Sequence, residues 1–89
     1  MEEVLVSKEK LYIEVKQYYR TCIGCPTLYT FIDIDGDKYE FRLRHGNAYI
    51  YNESGKETII HGQMAGFEGV CDWVDVVFWA RMNDVVIIY

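Results

Sequence analysis

A chain of 89 residues has room for one domain with one core, because at this size only part of the unfolded surface is buried on folding and no second core fits. With 51% hydrophobic and 26% charged residues the composition is that of a folded chain rather than a disordered one, and eight Tyr, four Phe and two Trp bring the aromatic fraction to 16%. The net charge of −5 argues against generic binding to a phosphate backbone, which needs a basic face, and leaves a basic protein partner open.

The chain opens Met1-Glu2-Glu3-Val4-Leu5-Val6, with acid where a signal peptide carries base and an apolar run too short for one. No stretch approaches the roughly 18 to 20 apolar residues that span a bilayer, so a cytoplasmic protein without membrane contact is expected. Leu11, Val15, Tyr18 and Tyr19 fit helical spacing behind Ser7, whereas Leu11, Ile13 and Val15 fit strand alternation. The β-favouring run Tyr12-Ile13-Glu14-Val15 tips the segment towards strand, with Val4-Leu5-Val6 as a possible pairing partner. A short helix there would make the fold α+β.

From residue 27 the pattern is strand, turn, strand. Residues 27–34 form a first run, and Asp35-Gly36 predicts a tight type I′ turn with positive φ at both positions. Residues 38–44 alternate, Tyr39, Phe41 and Leu43 on one side and Lys38, Glu40, Arg42 and Arg44 on the other. His45-Gly46-Asn47 turns the chain into 48–52, and Glu53-Ser54-Gly55-Lys56 turns it into 57–61, completing a four-stranded meander. Residues 62–69, with three glycines, read as a long adaptable loop. Residues 70–81 and 85–89 read as a last hairpin around Met82-Asn83-Asp84, apolar on both faces. The expected fold is a single mainly β domain, an antiparallel meander closing into a small barrel or sandwich, with helix confined to residues 1–20 or 62–69.

Cys22-Ile23-Gly24-Cys25-Pro26 is the sharpest local motif, since a C-x-x-C turn aims two thiolates at one point and forms half of many zinc sites. His61 and Cys71 are the best candidates for the other half, but no second paired motif delivers them together, and an odd cysteine count argues against a disulfide framework. A plain turn carrying two thiols, with no metal and no cofactor, is the expectation. Asp33-Ile34-Asp35-Gly36-Asp37 resembles a calcium loop only superficially, because the glycine is misplaced and the twelfth position is Arg44.

Lys38, Arg42, Arg44 and His45 place cationic donors on one side of a hairpin, where they could hold a phosphate or carboxylate while Tyr side chains stack on a ring. A nucleophile, P-loop, zincin or dinucleotide motif is missing, so a non-enzyme is expected. Read as a strand, 72–79 puts Trp73, Asp75 and Trp79 on one face with Asp72 beside them, an aromatic centre with an acidic rim, while in so small a domain both Trp serve at least as readily as core. Ile87 and Tyr89 end the chain without a polar tail, an edge that self-association would cover. The leading expectation is a small acidic protein-interaction module, forming a homodimer or binding and inhibiting a partner, a profile shared by inhibitors from phages and mobile elements. The competing expectations are a small-ligand or nucleotide-binding protein using Arg42 and Arg44, and a metal-binding domain built on the cysteines.

Overall fold

The structure is a computed structural model that describes residues 10–22 and 26–89. The elements run β1 (Leu11–Cys22), β2 (Thr27–Asp33), β3 (Lys38–Arg44), β4 (Asn47–Asn52), β5 (Glu57–Gln63), α1 (Trp73–Met82) and β6 (Val85–Ile88). The strands form one sheet in the order β5-β4-β3-β2-β1-β6, antiparallel throughout except for the parallel pair β1–β6. It curls into a half-barrel, and α1 packs into its concave side. The fold is mainly β, with one short helix among the described residues.

Alternation along β2 to β5 sorts the sheet into two faces. Tyr29, Phe41, Ile50 and Ile60 stand opposite one another across four strands and line the concave face, joined by Phe31, Leu43 and Ala48. β1 is a strand, as Tyr12-Ile13-Glu14-Val15 implies, and its partners are β2 and β6. Val4-Leu5-Val6, proposed above as a partner, lies outside the described residues. Register shifts between Val15 and Gln17 and between Arg20 and Cys22 change the phase of β1, so Ile13 is buried in its first half while Tyr18 and Arg20 reach inward in its second.

The turns follow local chemistry. At Asp35-Gly36 positive φ is found at Gly36 (91°) but not at Asp35, so the connection, residues 34–37, is not a type I′ turn. The carboxylate of buried Asp33 dictates this, its Oδ1 accepting the N–H groups of Asp35 (3.0 Å) and Asp37 (2.9 Å) and its Oδ2 the Tyr39 hydroxyl (3.0 Å). The two-residue turn with both residues left-handed occurs instead between β3 and β4, at His45 (φ 51°) and Gly46 (φ 78°).

The C-terminal region departs most from expectation. Residues 70–81 and 85–89 are not a hairpin; the first contains α1 and the second supplies β6, which pairs in parallel with β1. A strand would put Trp73 and Trp79 on one face and Val76 and Ala80 on the other, whereas a helix buries all of them against the sheet, as observed. The start is fixed by Asp75, whose Oδ2 accepts the N–H of the N-cap Asp72 (2.9 Å). At the other end Asn83 donates from its side chain to Trp79 O (2.9 Å), and Asp84 turns with φ 67° into β6.

Candidate functional site

Helix α1 is apolar on its outside as well as its inside. Val74, Phe78 and Met82, spaced i, i+4, i+8, form a stripe along its solvent side with 60%, 65% and 69% of their surface exposed. Beside the stripe runs a groove of about 480 Å³ between α1 and the loop after β5, lined by Met64, Phe67, Phe78, Trp79 and Met82, with Asp75 at its edge. The loop is tied down on its far side: Thr27 Oγ1 donates to Gly69 O (2.5 Å), Gly46 N–H to Glu68 O (2.7 Å) and Met64 N–H to Gly46 O (2.9 Å). Trp79 Nε1 donates to Gln63 O (3.0 Å), so the groove floor is fixed to β5. Exposed apolar stripes beside clefts occur at protein-docking surfaces, ligand grooves and membrane-contact faces alike.

The helix is seated by a charged clamp at its N-terminal end. Arg20 donates to the Tyr29 hydroxyl (2.6 Å), to Cys71 O (3.1 Å) and to Asp72 Oδ1 (2.9 Å), and these hydrogen bonds, first to Tyr29 and then to Asp72, raise its pKa. Behind the clamp Trp73 stacks on Tyr18 (centroids 4.2 Å apart) and meets Tyr29, Phe31 and Tyr89 at steeper angles. Its Nε1 is buried and has no hydrogen-bond acceptor among the described residues. Cys71, beside it, is buried; burial first and the charge of Asp75 second push its thiol up to about 12.

Of the residues placed on an aromatic interface, Trp73 and Trp79 (each 6% exposed) and Ile87 are core residues. Asp72 is exposed with its carboxylate held by Arg20, Asp75 caps the helix, and Tyr89 is exposed and edge-on to Trp73 and Tyr18. Acids and apolar surface are thus adjacent, but the apolar part is Val74, Phe78 and Met82, one residue out of phase with the tryptophans. Helical periodicity would have exposed this stripe, since Val74, Phe78 and Met82 recur at every fourth position.

The metal candidates do not converge. His61 lies on the convex face opposite Tyr49, whereas Cys71 is buried under Arg20 on the concave side, and Cys25 lies outside the described residues. Among the described residues no group of three or more His, Cys, Asp or Glu gathers as a metal site. The cationic candidates divide: Arg42, Arg44 and His45 border a common depression on the convex face, while Lys38 stands apart with its Nζ 3.8 Å from Glu53 Oε1. No helix among the described residues is long and apolar enough to cross a membrane. No protein-family model, curated protein or solved structure matches the chain.

Proposed function

We propose that the chain is an acidic protein-interaction module that docks a partner protein on the outer face of α1. The observation that carries this is the stripe Val74, Phe78, Met82 beside the groove, three large apolar side chains exposed in a row along one helix face. Its occupant is a segment with apolar side chains flanked by basic ones. Asp75 lies at the edge of the groove, and the chain as a whole carries −5. A second copy would bring like charge against like, which disfavours self-association through this face.

The test is covalent capture with a photo-crosslinking residue at Phe78 in the full chain, followed by titration of the captured, purified partner against wild type and Phe78→Asp. Binding should weaken at least about tenfold in Phe78→Asp and fall with added salt, circular dichroism being unchanged. Equal binding by the variant would overturn the proposal, as would a Phe78-dependent dimer seen by light scattering, which would make the occupant a second copy.

A further inference from the structure

We propose that the convex face of the sheet, on the side away from α1, is a second site, and that it binds a mononucleotide through a phosphate end at Arg42 and Arg44 and a ring end at Tyr51. Register brings the parts together. Arg42 stands opposite Tyr49 and Tyr49 opposite His61, in one row across β3, β4 and β5. Glu40, Tyr51 and Thr58 make the neighbouring row, and Arg44 pairs with Asn47 on the other side. Period two sends Glu40, Arg42, Arg44, Tyr49, Tyr51 and His61 away from the core residues Phe41, Leu43, Ile50 and Ile60, and the register shift between Ile50 and Tyr51 brings Thr58 onto the same face.

Two shallow depressions lie on this face and share Tyr49 and His61 as their common wall. One, of about 300 Å³, is lined by Arg42, Arg44, His45 and Asn47. The other, of about 390 Å³, is lined by Glu40, Tyr51 and Thr58. The first is cationic: Arg42 and Arg44 lie on the same side of one strand, about 7 Å apart by strand geometry, and neither has a carboxylate partner among the described residues. Two neighbouring guanidiniums that no carboxylate engages, with Glu40 one row further along, repel each other until an anion lies between them, and their planar forks suit phosphate oxygens. His45 is held at the rim because its turn is bonded through Gly46 to Glu68 O and Met64 N–H.

The second depression carries the features that recognise a ring. Tyr49 and Tyr51 are half-buried on the strand and offer aromatic surface, and Glu40, directly opposite Tyr51, is an acceptor for an exocyclic amine. The two ends are one row apart, the separation that a sugar bridges between base and phosphate. A single nucleotide is favoured over a strand because the cationic part is confined to one depression, and Glu68 adjoins its turn.

Isothermal titration of the full chain with AMP, adenosine, inorganic phosphate and a twelve-residue oligo(dA) tests the assignment. AMP should saturate at or below about 1 mM, adenosine and phosphate should each bind at least about tenfold more weakly, and the oligonucleotide should gain nothing per site. The double variant Arg42→Ala, Arg44→Ala should lose at least about tenfold and Tyr51→Leu several-fold, while Phe78→Asp binds AMP as wild type does. Should the double variant misfold, the exposed single change Arg44→Ala is read instead. AMP binding undiminished by these changes, no saturation by AMP, or affinity that appears only with oligonucleotide length would each overturn it.

Discussion

Asp33 and Tyr39 show how a buried polar pair fixes a turn and ties stability to pH. The Asp33 carboxylate accepts two backbone N–H groups and the Tyr39 hydroxyl, so the β2–β3 connection is built around one side chain. Burial, and then the hydrogen bond to Asp33, hold the Tyr39 phenol well above its usual range, and burial does the same to Cys71. A group with a raised folded-state pKa contributes stability that is complete below its unfolded pKa and is lost as pH rises towards the folded value. Urea midpoints should therefore hold up to about pH 8 and fall steadily above it, Cys71 acting first and Tyr39 from about pH 10. Cys71→Ala should remove the earlier part of the slope and Tyr39→Phe the later part; unchanged slopes in both would refute the assignment. Two adjacent residues make a second contrast. Trp79→Ala empties the contact with Phe41 and should cost about 3–5 kcal/mol, a large part of a domain's total, whereas Phe78→Ala on the water side should change the melting midpoint little.

At the scale of elements, the meander was legible because its signals are local and mutually consistent. Tyr39, Phe41 and Leu43 alternate with Lys38, Glu40, Arg42 and Arg44, and a turn pair bounds each run, so period and punctuation agree. Helix α1 was not legible by the same means, because Val74, Val76, Val77, Phe78 and Trp79 are strand-favouring residues and the outer stripe blurs the contrast between faces. Tertiary demand overrides propensity there: a concave sheet lined by Phe31, Phe41 and Ile50 needs a cover that buries Trp73, Val76, Trp79 and Ala80 together. The candidate surfaces were legible in part. That Arg42, Arg44 and His45 share one side of the sheet is readable from the period of a strand, whereas the exposed stripe Val74, Phe78, Met82 is not, because a two-residue period hides a four-residue one. If the cap at Asp75 is what decides for helix, Asp75→Ala should destabilise by about 0.5–2 kcal/mol and Asp75→Asn by less, since the amide keeps an acceptor for the Asp72 N–H. Equal losses in the two variants, measured by urea denaturation, would assign the effect to charge instead.

The whole molecule is assembled from a local part and a remote part. β2, β3, β4 and β5 are joined by short turns, so every pair in that meander forms between neighbours in sequence. β6 pairs with β1, Leu11 opposite Val85 and Ile13 opposite Ile87, which brings the two ends of the described chain side by side in the sheet. That contact closes a loop through the entire meander and α1, and its closure entropy must be met before any reward is gained. The meander is therefore expected to be structured in the folding transition state, with β6 and the adjoining part of α1 docking after it. Ile50 and Ile87 report on the two parts, being buried in β4 and β6 respectively. Each Ile→Val change removes one methylene and should cost about 1 kcal/mol at equilibrium. In chevron kinetics Ile50→Val should slow folding, while Ile87→Val should leave the folding limb in place and speed unfolding, because a contact absent from the transition state acts only on the way out. If Ile87→Val slowed folding as much as Ile50→Val, the parallel pair would be part of the nucleus, and the sheet would close from its ends inward rather than outward from the meander.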